Sequence, residues 1–134
     1  WQLSSFASVL PEIRKTLYSP DPVERYWALT ACASFGDNTA VLKNELYDIL
    51  RNDKCAYNKS RALVAVSTLK KDTDIYSEIK AILGNARNEA ETLQILNDAA
   101  YLKEQYKLGS FNISDKDVLF RSESIGWRLN YLNT

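Results

Sequence analysis

Large apolar residues recur along this chain at intervals of three and four positions. Two of the clearest stripes are Leu42, Leu46, Ile49 and Leu50, and then Ile75, Ile79, Ile82 and Leu83. Such spacing places the side chains on one face of an α-helix. No segment alternates apolar and polar residues in the way that is typical of a half-buried β-strand. The pattern therefore predicts an all-α protein.

The residues between the stripes predict where helices begin and end. Pro11 is expected to open the first helix, Asp21 with Pro22 to begin the second, and Gly36 to end the second in a left-handed conformation. Asp72 or Thr73 is expected to cap the helix that carries the stripe from Ile75. Later helices are predicted over about 58–69, 89–105 and 124–132, with a capping box at Ser114 and Asp117 that opens a short helix.

The second predicted helix is apolar on nearly every side. Its sequence, "DPVERYWALTACASFG", runs from Asp21 to Gly36 and carries Trp27 near the middle. A helix of this kind is expected to be covered from several directions. We therefore expect Tyr26 and Trp27 to fill interfaces between helices, and Trp27→Ala to cost about 3–5 kcal/mol of stability.

Similar apolar stretches return every 33 or 34 residues. They are "ALTACASF" from Ala28, "ALVAVSTL" from Ala62 and "ILNDAAYL" from Ile95. A repeat of this length is typical of stacked helical hairpins, each of which covers the apolar surface of its neighbours. The predicted units are 10–36, 39–70, 73–105 and 114–133, within a single domain over 1–134. Asn97 and Asp98 interrupt the third stretch, so they need exposure or hydrogen-bond partners.

Composition narrows the classes of function. The chain has 134 residues, with 17 Lys plus Arg and 17 Asp plus Glu, so its net charge is zero. A general nucleic-acid binder needs a basic surplus, and so does electrostatic docking on an anionic membrane. The longest apolar runs also fall short of the ~20 residues that span a bilayer. We therefore predict no nucleic-acid and no membrane partner.

Candidate chemistry is sparse. The chain has no His, which removes the commonest general base and metal ligand. Cys32 and Cys55 have no zinc spacing and make no disulfide framework, and Cys32 is expected to be a small buried hydrophobe. The pairs Asp72/Asp74 and Asp115/Asp117 are expected to cap helices rather than bind calcium or act as acids and bases. No cofactor, metal or catalytic residue is predicted.

The tyrosines allow two interpretations. Five of the eight are placed at helix ends, namely Tyr18, Tyr47, Tyr57, Tyr76 and Tyr106. Most are expected to be amphipathic residues whose ring is buried and whose hydroxyl contacts solvent. The alternative is an aromatic surface for a carbohydrate or a partner protein.

One stretch resembles a known family. "LPEIRKTLYSPDPVERYWALTACASFGD" resembles a HEAT-type repeat, and it is similar to the helical-repeat region at the C-terminus of many bacterial sulfatases. The resemblance rests on Leu10-Pro11, on Asp21-Pro22 and on the tract from Arg25 to Ala28. "ETLQILNDAAYL" and "SIGWRLNYL" are similar to later helices of that region, so the likeness covers about 10–132. In departure from the HEAT pattern, Glu24 replaces an apolar residue, and Lys59 and Thr92 stand where the Arg should repeat.

The resemblance implies a fold and a function. The fold is a short right-handed α-α superhelix, a HEAT/armadillo-like solenoid of about three to four helical hairpins. The function is that of a non-catalytic C-terminal module of a sulfatase, which braces the catalytic domain or shapes its substrate cleft, in the periplasm or outside the cell. "CAYNK" at Cys55 lacks the Pro and Arg of the sulfatase motif C/S-x-P-x-R, so no catalytic or metal residue is carried over.

Two further expectations concern the parent chain and its partners. The sequence contains no Met and opens at Trp1, so we expect it to be part of a larger protein, with "WQLSSFASV" as the remnant of a preceding helix. The alternative function is an independent protein-interaction scaffold, and a free-standing enzyme is the least favoured. The partner is thus the catalytic domain of the same parent chain or another protein. The candidate interaction surface is Arg25, Tyr26, Lys59 and Arg61.

Overall fold

A computed structural model describes residues 5–69 and 73–134, and these residues form helices without any β-strand. The all-α prediction is therefore confirmed. Within the described ranges there are seven α-helices: α1 (Phe6–Leu17), α2 (Pro22–Phe35), α3 (Lys43–Asn52), α4 (Ala56–Ser67), α5 (Ile75–Leu83), α6 (Glu89–Tyr106) and α7 (Glu123–Leu132). Two 3₁₀-helices, Gly36–Leu42 and Asp115–Asp117, precede α3 and α7.

Helix α4 lies at the centre of the packing. Consecutive helices pair, α1 with α2, α3 with α4 and α5 with α6, and α4 also packs between α2 and α6. Helix α7 packs on α6. Nine of the twelve residues of α4 are buried, so α4 is covered on nearly every side.

The two apolar stripes predicted from the sequence form the outer part of the core. Leu46, Ile49 and Leu50 of α3 are buried, and so is Leu42 just before it. The stripe of α5, from Ile75 to Leu83, is buried as well. Both stripes face α4 or α6, since α3 packs on α4 and α5 packs on both.

Trp27 is exposed, which corrects the prediction that it fills an interface between helices. Its exposed fraction is 60%, whereas Leu29 and Cys32 on the same helix are fully buried. Helix α2 packs on α1 and α4, and these contacts take up the side of α2 that carries Leu29 and Cys32. Val23 and Trp27, four residues apart on α2, are both more than half exposed. The apolar groups around α2 therefore do not all face the core.

The start of the first helix also differs from the prediction. Pro11 lies inside α1, which begins at Phe6 and has Ser5 as its N-cap. The Phe6 ring packs edge-on against Phe35 with 5.2 Å between centroids, which holds the first turn of α1 to the end of α2. Residues 6–9 are thus part of α1 and not the remnant of a preceding helix, and residues 1–4 of that predicted segment lie outside the described residues.

Several predicted caps are confirmed. Asp21 Oδ1 accepts from the backbone N–H of Val23 at 2.9 Å, with Pro22 as the first residue of α2. The capping box of Ser114 and Asp117 is present, although the element that it opens is a single 3₁₀ turn. Gly36 follows α2 with φ +58° but ψ −129°, so it starts the 3₁₀-helix instead of closing α2 with a left-handed helical cap.

Asp74 and not Thr73 caps α5, and Asp72 lies outside the described residues. Asp74 Oδ1 accepts from the backbone N–H of Ser77 at 3.1 Å, and Oδ2 accepts from its hydroxyl at 2.8 Å. These hydrogen bonds from Ser77 lower the pKa of Asp74.

The connection between α6 and α7 is tied to the end of the chain. The backbone N–H of Phe111 donates to Leu132 O at 2.9 Å. Asn133 accepts from the Ile113 N–H at 2.8 Å and donates to the Ile113 carbonyl at 3.0 Å. Phe111 is buried and its ring packs edge-on against Tyr76 of α5. We call this set of contacts the C-terminal clamp.

Candidate functional site

The four residues predicted as an interaction surface fall in three places. Tyr26 and Arg61 meet on the side of the protein formed by α2, α4 and α6, where the Arg61 guanidinium lies 5.8 Å from the Tyr26 ring centroid. Arg25 is turned toward the loop between α3 and α4, and Lys59 toward α5. The structure therefore brings together only two of the four.

Arg25 ties two interhelical turns together. Its Nε lies 2.8 Å from Asp53 Oδ2 and its Nη2 lies 3.2 Å from Oδ1, while Nη1 donates to Ser19 O at 2.8 Å. The Asp53 carboxylate, through this hydrogen bond above all, raises the pKa of Arg25. Because the guanidinium is hydrogen-bonded to Ser19 in the α1–α2 turn and to Asp53 in the α3–α4 turn, Arg25 stabilises the junction between these two turns.

Lys59 borders a separate hollow on the opposite side of α4. That hollow has a volume of about 260 Å³ and is shared with Leu50 of α3 and Ile82 of α5. Besides Lys59 it is lined by two charged side chains, those of Arg51 and Glu78. This hollow shares no lining residue with the surface around Tyr26.

Three aromatic rings surround a cavity on the α2–α4–α6 side. The Tyr26 ring lies 5.4 Å from the Trp27 ring at 80°, and 5.9 Å from the Tyr57 ring at 59°. With Val23 and Gln94 they line a volume of about 350 Å³, which we call the aromatic cavity. Offset and edge-to-face rings of this kind are a favourable arrangement, so the cavity walls are held without a ligand.

A second cavity adjoins the first along α2. It measures about 320 Å³ and is lined by Thr30, Ala33, Ser34, Arg61, Val64 and Tyr101. Arg61 lines this cavity and lies beside Tyr26, which lines the aromatic cavity, so the two cavities are neighbours. We call the surface of α2, α4 and α6 that contains both cavities the inner-helix face.

The Arg61 side chain forms an ion pair with a buried carboxylate, that of Asp98. Its Nη1 lies 2.8 Å from Asp98 Oδ1, and the Ser60 hydroxyl donates to Asp98 Oδ2 at 2.7 Å. Burial raises the pKa of Asp98, and the charge of Arg61 and the hydrogen bonds from Ser60 and Arg61 reduce that rise. Asp98 thus has the partners that its place in an apolar stretch requires, whereas Asn97 is exposed and accepts from Arg128 Nε.

A second arginine stands beside Tyr57. The Arg87 side chain is bonded to Glu91, with Nη2 2.8 Å from Oε2, and its Nη2 lies 3.9 Å from Cys55 Sγ. Burial opposes the ionisation of Glu91, but the hydrogen bonds and charge of Arg87 outweigh it and lower the pKa of Glu91. Burial, followed by the nearby Cys55, raises the pKa of the Tyr57 phenol, and the Arg87 charge acts in the opposite sense.

Both cysteine side chains are buried in the protein interior. Cys32 and Cys55 are both free and buried, and Cys32 is fully enclosed as predicted. Burial raises the pKa of Cys32 to about 12, so its thiol stays protonated near neutral pH.

The carboxylates are placed at helix starts. Asp117 belongs to the capping box, and Asp115 pairs with Arg121 at 2.9 Å. Within residues 5–69 and 73–134, no group of three or more Cys, Asp or Glu side chains is arranged to hold a metal ion. The capping role predicted for Asp74 and Asp117 is confirmed.

Sequence reasoning missed three of the five residues that line the aromatic cavity. Val23 and Gln94 were not singled out, and Trp27 was assigned to the core. A signal was available, because successive residues of an α-helix point about 100° apart. Arg25, Tyr26 and Trp27 therefore cannot share one direction, and at least one of three consecutive bulky side chains has to leave the core.

No protein-family model matches this chain, and neither does any curated protein or solved structure. The similarity to the sulfatase C-terminal region and to HEAT repeats therefore stays a prediction. Of the helices in the described ranges, none is both long enough and apolar enough to cross a bilayer.

Proposed function

We propose that this chain is a non-catalytic helical-repeat module that binds a protein partner through the inner-helix face. The observation that carries the proposal is Trp27, which is 60% exposed and stands beside Tyr26 and Tyr57 at the aromatic cavity. Burying one large aromatic side chain is worth roughly 1.5–3 kcal/mol. A partner that covers Trp27 would recover that free energy.

The residue types of the inner-helix face support a protein ligand. Trp, Tyr and Arg are enriched among the residues that dominate binding energy, and two Tyr, one Trp and Arg61 lie together here. The rings are also braced by one another, so little side-chain entropy is lost when a partner binds.

The proposed architecture is a short solenoid of HEAT/armadillo type. Its support is the order of packing, in which α2, α4 and α6 lie in a row and α1, α3 and α5 pair with them. In such an array the row of second helices forms one extended surface, which these proteins use for binding.

The narrower proposal is that the module belongs to a bacterial sulfatase and contacts the catalytic domain of the same parent chain. The tract from Arg25 to Ala28 that carries the resemblance supplies two rings of the aromatic cavity, Tyr26 and Trp27. A docked catalytic domain would then cover the exposed indole. A C/S-x-P-x-R motif in the parent's own sequence supports this version, and a complete parent without that motif contradicts it.

The broader proposal is tested with a random peptide library displayed on phage. Peptides selected on the purified chain should bind Trp27→Ala at least about tenfold more weakly, which corresponds to about 1.4 kcal/mol. Trp127→Ala is the matched control, because Trp127 is 67% exposed on α7 and does not line the aromatic cavity. The proposal is contradicted if the selected peptides bind the wild-type chain, Trp27→Ala and Trp127→Ala equally, or if no peptide is selected at all.

A further inference from the structure

Two arginines lie near tyrosines of the aromatic cavity, although neither lines the cavity itself. Arg61 lies against the Tyr26 ring, and Arg87 lies beside Cys55 and Tyr57 at the start of α4. Each is anchored by one carboxylate of α6, Arg61 by Asp98 and Arg87 by Glu91. The chemistry of the partner follows from this pairing, on the condition that the proposed function is correct.

Both carboxylates are buried, the Arg61 side chain is largely buried, and the Arg87 side chain is exposed. The side chains of Asp98 and Glu91 are each 8% exposed, whereas those of Arg61 and Arg87 are 19% and 64% exposed. No Asp or Glu lines the aromatic cavity. At the Arg87–Glu91 pair an approaching ligand therefore meets the guanidinium before the carboxylate, although the net charge of the chain is zero.

Other ligands fit this arrangement less well. A quaternary ammonium group favours the faces of aromatic rings, but Arg61 already lies over Tyr26 and the cavity has no carboxylate to balance a second cation. A carbohydrate needs many polar partners, and the cavity offers the Gln94 amide, two phenols and one indole N–H.

We propose that the inner-helix face binds an acidic peptide segment of the partner protein. An apolar side chain of that segment enters the aromatic cavity, and carboxylates next to it pair with Arg61 and Arg87. The ion pairs with Asp98 and Glu91 hold both guanidinium groups in place, so the arginines lose little rotamer freedom when a second carboxylate arrives. Recognition thus combines apolar burial with charge complementarity.

The test uses the peptides selected from the random library on the wild-type chain. Their sequences should carry a surplus of Asp and Glu next to an apolar residue. Binding of the best peptide should weaken at least about fivefold when its acidic residues are replaced by Asn or Gln, and also when NaCl is raised from about 50 to about 500 mM. The first change leaves the protein untouched, so its result does not depend on how a variant folds.

The protein side is tested with Arg87→Gln and Arg87→Lys. The Gln variant should weaken the acidic peptide at least about threefold, and the Lys variant, which keeps the charge, should weaken it less. Arg121→Gln is the matched control, because Arg121 pairs with the exposed Asp115 away from the cavity.

The outcomes separate the two proposals. A neutral or basic consensus, or binding that ignores Arg87→Gln and salt while still depending on Trp27, overturns the acidic partner and leaves the interaction module standing. Selected peptides that do not depend on Trp27 overturn both.

Discussion

Leu29 and Trp27 lie two positions apart on α2 and have opposite surroundings. Leu29 is fully buried, and Trp27 is mostly in solvent. We expect Leu29→Ala to lower the free energy of unfolding by about 2–5 kcal/mol, because it leaves a cavity in a packed core. Trp27→Ala should cost less than about 1 kcal/mol. Urea denaturation of the two variants checks the difference, and a Trp27→Ala loss as large as that of Leu29→Ala would place the indole in the core.

Asp98 predicts an unusual dependence of stability on pH. Burial raises its pKa above the ordinary value of 3.8, so the folded state holds the Asp98 proton more tightly than the unfolded state does. The stabilisation from that proton is complete below the unfolded pKa and is lost as pH rises through the folded pKa.

This dependence is measured against Asp98→Asn, which cannot titrate at this position. The free energy of unfolding of the wild type, minus that of Asp98→Asn, should increase as pH falls from about 7 to about 3.5. A difference that decreases over this range would show that Arg61 and Ser60 outweigh burial and that the pKa of Asp98 is lowered.

These two residues show what could be predicted for single side chains. Asp98 stood out because a carboxylate in an apolar stretch needs partners, and it has them in Ser60 and Arg61. Trp27 was wrongly assigned, because its apolar character does not say which side of α2 a neighbouring helix covers. The meeting of Tyr26 and Tyr57 depends on the packing of α2 against α4, which no local pattern contains.

At the scale of elements, the amphipathic helices were the easiest to predict. The stripes of α3 and α5 have one apolar side, so periodicity marks them and burial follows. Helix α4 was predicted over 58–69 and spans Ala56–Ser67, so it begins and ends two residues earlier than predicted, with Thr68 as its C-cap. The first helix was misjudged because Pro11 is also tolerated inside α1, where Ser5 and the Phe6–Phe35 contact hold the preceding turn.

Across the whole molecule, the repeat spacing predicted that helices would pair and stack. In the structure the helices pack together with α4 between α2 and α6, and a stacked repeat array stays a proposal. The helix covered on nearly every side is α4 and not α2, because α2 has described helical neighbours on only part of its circumference. Which helices pack against a given helix decides how much of it is buried, and the sequence of one helix does not encode this.

The central position of α4 predicts how the molecule opens. We expect backbone amides of α4, such as those of Leu63 and Val66, to exchange with solvent most slowly, because releasing them separates α4 from four other helices. Amides of α1, which packs mainly on α2, should exchange faster. Native-state hydrogen exchange followed by NMR checks this order, and equal protection in α1 and α4 would show that the domain opens as one unit.

The C-terminal clamp has a mechanical consequence. A pull on the last residues would reach Asn133 and Leu132, which are bonded to Ile113 and Phe111, before it could peel α7 from its end. The load would pass into the Phe111 side chain, which is seated against Tyr76 of α5. Tension on this end of the chain would therefore be shared among α5, α6 and α7 instead of unzipping a single helix.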